Sequence, residues 1–226
     1  MKFSAQQWMG VSDSHIVKMQ HNHGLISKVK DAFEAMQAAA AKDGIDLQLV
    51  SSFRSFERQL AIWQSKWLGQ KPILDIHGQA LDIDELEDIQ KIHGIMTWSA
   101  LPGASRHHWG TDLDVYDKQR VDSCDTPFEL VSQEYELGGP CYDLSCWLDE
   151  HAQRFEFYRP YHRYNGGVAP EAWHLSYRPI ATDIIKQLDI NALKMQIASI
   201  DIGGKAMILQ YLDSLFERYT LNGLEK

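Results

Sequence analysis

The chain has 226 residues, of which 44% are hydrophobic and 23% charged, and its formal net charge is −9. This is ordinary globular composition, at a length that suits one large domain or a domain with a helical appendage. An acidic chain without Lys/Arg clusters excludes nucleic acid as a main partner, because phosphate contacts need concentrated basic side chains.

Leu25, Val29, Phe33, Met36 and Ala40 recur at three- and four-residue spacing before Gly44, which predicts a helix over 25–43. Residues 46–53 alternate like a half-buried strand. Ser55 is placed to cap a helix to about residue 67, with Leu60, Ile62, Trp63 and Trp67 as its apolar face. The acidic run over 70–90 reads as a solvated insertion, and a helix follows over about 86–99. After a loop at 101–105, a short strand is expected at 112–116, irregular chain at 118–140 and a helix at 142–153. The aromatic segment 154–161 reads as a strand, Asn165, Gly166 and Gly167 as a turn, and 173–177 as another strand. From Ile180 onward two or three helices are expected, the clearest over 191–200 and 205–219. Ile208, Leu209, Leu212, Leu215 and Phe216 form a stripe that packs on the core or makes a dimer contact, so both monomer and homodimer stay open. Without a regular βαβ alternation, the expected fold is α+β: a small, mainly antiparallel sheet flanked by helices, with a C-terminal helical extension. Residues 1–179 are read as the main domain and 180–226 as the extension packed on it.

No stretch approaches the ~20 apolar residues of a membrane span, so no membrane insertion is expected. Ser4, Gln6 and Gln7 interrupt the apolar run that a secretory signal requires. Cys124, Cys141 and Cys146 cannot all pair within one chain, which suits a reducing compartment. The expected location is therefore the cytoplasm.

Chemistry concentrates in two places: a cluster running from Ser105 to Asp114 that holds His107 and His108, and the Glu171-x-x-His174 pair. Imidazoles and a carboxylate suit zinc, and a catalytic zinc keeps three protein ligands and one open position. His107, Asp114 and His174 supply such a set, and Glu171 stands beside it as a general base. Adjacent histidines before a strand, or an isolated ExxH, occur as structural or surface residues too. Arg54 closes the strand at 46–53, where a guanidinium can hold an oxyanion or a carboxylate, and Gln59 lies one helical turn later. The His21-x-His23 pair lacks a nearby carboxylate pattern, and no cysteine carries a nucleophile signature.

The order Arg54…Gln59, Ser105-x-His107-x-x-Gly110-x-x-x-Asp114 and Glu171-x-Trp173-His174 resembles the D-alanyl-D-alanine carboxypeptidase family of zinc peptidases. That family includes the vancomycin-resistance dipeptidases and carboxypeptidases and shares its fold with lysostaphin-type enzymes and the hedgehog signalling domain. The resemblance runs from about Leu25 to Arg178 and leaves the C-terminal helices outside. It implies one zinc per chain on His107, Asp114 and His174, with Glu171 as base. It also implies Arg54 as the transition-state-stabilising and substrate-binding arginine, with Gln59, Ser105 and Trp173 lining the substrate pocket. One position departs: the family commonly has a small residue two before the ligand aspartate, and here Asp112 stands there. On a strand Asp112 and Asp114 share a face. Asp112 is read as a partner of a ligand histidine, a contact to a cationic substrate group, or an alternative ligand.

The resemblance implies peptidoglycan stem peptides ending in D-alanine as substrate. Two bonds fit: D-Ala-D-Ala, or the bond joining a diamino acid to a terminal D-Ala. A cytoplasmic L,D-carboxypeptidase trims recovered tetrapeptides without destroying pentapeptide precursors, which favours the second. A zinc-containing binding module is the alternative of another class, and Glu171 argues against it.

Overall fold

The computed structural model describes residues 1–222. Ser4 and Gln7 cap the first short helix reciprocally, each side chain bonding the other's backbone N–H, and define α1 (Ala5–Trp8). A two-stranded ribbon follows, with β1 (Val17–Lys18) antiparallel to β2 (Gly24–Leu25). Both elements are too short to leave a periodic sequence signal, and neither was expected. Helix α2 (Ser27–Lys42) buries Val29, Phe33, Met36 and Ala40, the stripe read from the sequence. Strand β3 (Leu47–Ser51) leads to α3 (Phe56–Trp67), which starts where the Ser55 hydroxyl accepts the Arg58 N–H. Helix α4 (Asp88–Trp98) buries Ile92, Ile95 and Met96.

The remaining strands are β4 (Asp112–Asp117), β5 (Phe157–Tyr158) and β6 (His174–Tyr177), and the sheet runs β3-β4-β6-β5, antiparallel throughout. Ser51 pairs with Asp114, and Asp114 with His174, so one row across the sheet carries all three. Alternation along β4 sends Leu113 and Val115, both fully buried, into the core, while Asp112 and Asp114 point to the opposite face. The architecture is the expected α+β arrangement of a small antiparallel sheet flanked by helices.

Two segments differ from expectation. Residues 118–140 contain α5 (Lys118–Asp122) and a short 3-10 turn over Ser132–Tyr135. The strand expected over 154–161 shrinks to β5: after α6 (Tyr142–His151) the chain winds through a 3-10 turn that ends at Glu156, in left-handed conformation at φ 65°. Phe155 belongs to that turn and stacks on Trp147, so the aromatic alternation comes from packing rather than pleating.

The C-terminal part forms α7 (Arg178–Ile185), α8 (Ile190–Ser199) and α9 (Lys205–Phe216). Ile208, Leu212 and Leu215 are buried in the cluster that also holds Val29 and Leu113, so the stripe packs within the chain. The join to α3 is tight. The Trp63 indole N–H donates to the Gly203 carbonyl at 3.0 Å, and a Cβ on Gly203 would lie 2.2 Å from the Trp67 ring. Among the described residues no helix is long and apolar enough to cross a membrane.

Candidate metal centre and active site

A helical turn over Arg106–Trp109 places His107, and Gly110 at φ 72° swings the chain from that turn into β4. At φ 72° a side chain would be strained there, and a Cβ would also meet the end of the Ile16 side chain at 2.3 Å, so glycine is favoured. The His107 Nδ1 lies 3.0 Å from the Ser52 carbonyl, which can only accept; the proton is therefore on Nδ1 and the Nε2 lone pair is free. His174 is fixed in the opposite sense. Its Nε2 lies 3.0 Å from Asp112 Oδ1, which leaves Nδ1 free. That Nδ1 is 3.0 Å from Asp114 Oδ1, yet the two are misaligned for a hydrogen bond, and both are buried without a hydrogen-bond partner. His107 Nε2 lies 3.3 Å from the other Asp114 oxygen.

The ligand atoms of His107, Asp114 and His174 lie within 4.8 Å of one another, all in buried residues. Buried nitrogen and oxygen atoms that converge without a hydrogen-bond partner are what a cation completes, and unpaired buried polar atoms are otherwise costly. Burial alone would lower the His174 pKa, but Asp112 and Asp114 raise it to about 10, so the pocket favours positive charge at this point. A metal supplies that charge in exchange for the proton. Two imidazoles and one carboxylate match a catalytic zinc with an open position.

Glu171 approaches from the loop before β6, its Oε2 3.5 Å from His174 Nδ1, and its N–H is held by the Tyr161 carbonyl at 2.9 Å. Burial raises its pKa to about 7 against the pull of His174, a value suited to proton transfer near neutrality. Arg54 donates from Nη1 to Gln59 at 2.8 Å and from Nη2 to Ser51 at 3.2 Å, while its buried Nε has no partner. A cavity of about 690 Å³ opens over the centre, lined by Arg54, Ser105, His107, Asp114, Glu171, Trp173 and His174. Trp173 is held in its wall by stacking on Trp98 at 6.4 Å between ring centres.

Two positions that the sequence offered as substrate contacts, Asp112 as one of three alternatives and Gln59, do not line the cavity. Asp112 is fully buried, with Oδ1 bonded to Arg106 Nε at 2.7 Å and to His174, and Oδ2 to Thr111 and Ser176. All four hydrogen bonds of the carboxylate are made within the protein, one of them to the His174 ring. Gln59 is likewise fully buried, and its amide bridges Arg54 to the Ala100 carbonyl, so it braces the arginine. Arg106 escaped notice in the sequence. It neutralises Asp112 and is sandwiched by contacts to Trp109 and Tyr158.

The acidic insertion is also more than solvated loop. Leu74, Ile76, His77 and Gln79 line one cavity wall. The Asp75 carboxylate takes the N–H groups of His77 and Gln79 and so closes a tight turn, and the Trp98 indole N–H anchors the Asp75 carbonyl at 2.7 Å. Residues 129–133 and Glu136 also line the cavity.

A buried His/Asp/His group with a carboxylate base beside it, at the floor of a cleft on an antiparallel sheet, defines a metallopeptidase. The sequence profile of the D-alanyl-D-alanine carboxypeptidase family matches residues 22–180. The chain belongs to that family, and His107, Asp114 and His174 form a group that could hold a metal ion. An uncharacterised Haemophilus influenzae protein is 44% identical over 105 residues, covering 45% of this chain and 72% of that one. The fold is similar to that of VanYB in complex with D-Ala-D-Ala, with a TM-score of 0.54 and 23% identity over 78% of this chain and 84% of that one. A VanY D,D-pentapeptidase mutant in complex with Zn(II) gives 0.51 and 23%, covering 78% and 88%. The LdcB LD-carboxypeptidase gives 0.52 and 22%, covering 77% and 73%.

Proposed function

We propose that the chain is a zinc-dependent carboxypeptidase that releases the terminal D-alanine of peptidoglycan stem peptides, and that it acts on the L,D bond of soluble tetrapeptides in the cytoplasm. The observation that carries the hydrolytic part is the convergence of His107, Asp114 and His174 with Glu171, whose oxygen is 3.5 Å from a ligand nitrogen. Zinc, when bound by the three, supplies a Lewis acid for the scissile carbonyl and for the attacking water. Glu171 takes the proton from that water and returns it to the leaving amine. Arg54 holds the negative charge that develops on the carbonyl oxygen or the terminal carboxylate beside it. Ser105 and Trp173 contact the substrate from the cavity wall. A binding module without turnover has no use for a base held at this position.

The L,D preference draws on the cavity's own charges. Glu129 and Glu136 are exposed on its wall and are suited to the ammonium of a diamino acid, the role that buried Asp112 cannot play. Three unpaired cysteines, Cys124, Cys141 and Cys146, support a reducing compartment. Residues 180–222 serve as a helical extension of the same unit, and the last four residues of the expected extension, 223–226, lie outside the described residues. The test is incubation of zinc-loaded protein with defined tetra- and pentapeptides and mass detection of products. Release of D-alanine from the tetrapeptide is expected; release from the pentapeptide alone makes the enzyme a D,D-carboxypeptidase.

A further inference from the structure

His108 follows a metal ligand directly, yet its ring bonds away from the donor set. Its Nε2 accepts the Gly103 N–H at 3.0 Å, so the ring proton is on Nδ1, which donates to the Arg54 carbonyl at 2.6 Å. Both ring nitrogens are engaged, and the residue is fully buried. On the other side of the same residue, the Arg54 N–H donates to the His107 carbonyl at 3.1 Å. Two consecutive residues of the ligand-bearing turn thus grip the backbone of Arg54.

The ring itself is seated by the N-terminal turn. A Cβ at Gly10 would lie 2.4 Å from His108 Nδ1, and Gly10 adopts φ +74°, so only glycine lets the chain pass this close. The Gly10 carbonyl accepts the Phe56 N–H at 2.8 Å, and the Phe56 ring stacks on His108 at 6.4 Å. Gly10 lies outside the residues that the family profile matches.

We propose that His108 is a positioning residue. Seated against Gly10, it fixes the Arg54 backbone relative to His107 and so sets where the guanidinium stands over the scissile bond. The inference rests on the role of Arg54 given above. The geometry is economical: one rigid turn carries both a metal ligand and the clamp on the charge-stabilising arginine. A misplacement of about 1 Å in such a group costs on the order of 10²-fold in rate. A glutamine at 108 offers one donor and one acceptor, as the neutral imidazole does, whereas leucine offers neither.

The experiment compares His108→Leu, His108→Gln and Gly10→Ala in wild-type and Arg54→Ala backgrounds. It reads zinc content, kcat and KM on the stem peptide that wild type cleaves, and hydrogen exchange at the Arg54 amide without substrate. His108→Leu should keep one zinc, lower kcat about 10–100-fold with little change in KM, and speed exchange at Arg54. His108→Gln should recover most of both losses. In the Arg54→Ala background the leucine should cost less than about threefold further, because neighbours acting through one group are not additive. Wild-type kcat in His108→Leu, full additivity with Arg54→Ala, or a glutamine as poor as the leucine overturns the proposal. If His108→Leu does not fold, Gly10→Ala carries the same test, since it displaces the ring without removing it; unchanged kcat and exchange there also overturn it. An Arg54→Ala enzyme of undiminished rate would instead refute the role of Arg54 itself, and the clamp would fall with it.

Discussion

The floor and the rim of the cavity are built on different terms. The floor is the β4–β6 pair, where cross-strand register places Asp114 opposite His174 and buried partners fix each imidazole. The rim comes from the turn around Asp75 and from residues 129–133 and Glu136, a stretch of loop and 3-10 turn. Chemistry needs atoms held to fractions of an ångström, which strands with buried hydrogen bonds provide. Selection among substrates needs side chains that differ between relatives, which exposed loops provide. Substitutions in the floor should therefore abolish turnover, and substitutions in the rim should change which peptide is cut.

The largest effect is expected for Glu171→Gln, which should fold, keep zinc and lose on the order of 10³-fold or more in kcat, combining loss of the base with loss of its charge. Zinc titration with steady-state kinetics checks this, and hydrolysis at the wild-type rate would leave the floor without its base. Next, Arg54→Ala should reduce kcat/KM by about 10²–10³-fold with zinc retained. Asp112→Asn removes a charge from the far side of His174 and leaves Arg106 without its counter-ion. Competition with a chromophoric chelator should show zinc affinity lowered about 10–100-fold, while an affinity equal to wild type would make Asp112 a bystander. The smallest effect belongs to the rim. Glu129→Gln with Glu136→Gln should raise KM for a tetrapeptide carrying a free diamino-acid ammonium by about three- to tenfold and leave kcat nearly unchanged, in line with exposed ion pairs of ~0.2–1 kcal/mol each. An equal change for an N-acylated peptide would remove the charge argument for L,D preference.

The same division decides what could be read in the chain without coordinates. His107, Asp114, Glu171 and His174 are picked out through the resemblance to a family of zinc peptidases, since adjacent histidines or an ExxH alone are unspecific, and the fold brings the four together. The stripe of α2 is legible because burial imposes helical period on Val29, Phe33, Met36 and Ala40. Asp112 was ambiguous because its role depends on Arg106, Ser176 and His174, which only the folded sheet assembles around it. Gln59 looked like a pocket residue because one helical turn brings it to Arg54, but the Ala100 carbonyl that captures its amide is distant in sequence. The rim was read only in part, for a further reason. Acidic residues suggest a solvated run, whereas one of them, Asp75, caps its own turn and shapes the cavity.

The most direct test is a crystal structure of the zinc-loaded protein with anomalous data at the zinc edge. One ion is expected, bound by Nε2 of His107, a carboxylate oxygen of Asp114 and Nδ1 of His174, with Asp112 still bonded to the far side of the His174 ring. An ion ligated by Asp112, bound through the opposite nitrogen of either histidine, or absent from this group of residues would contradict the account.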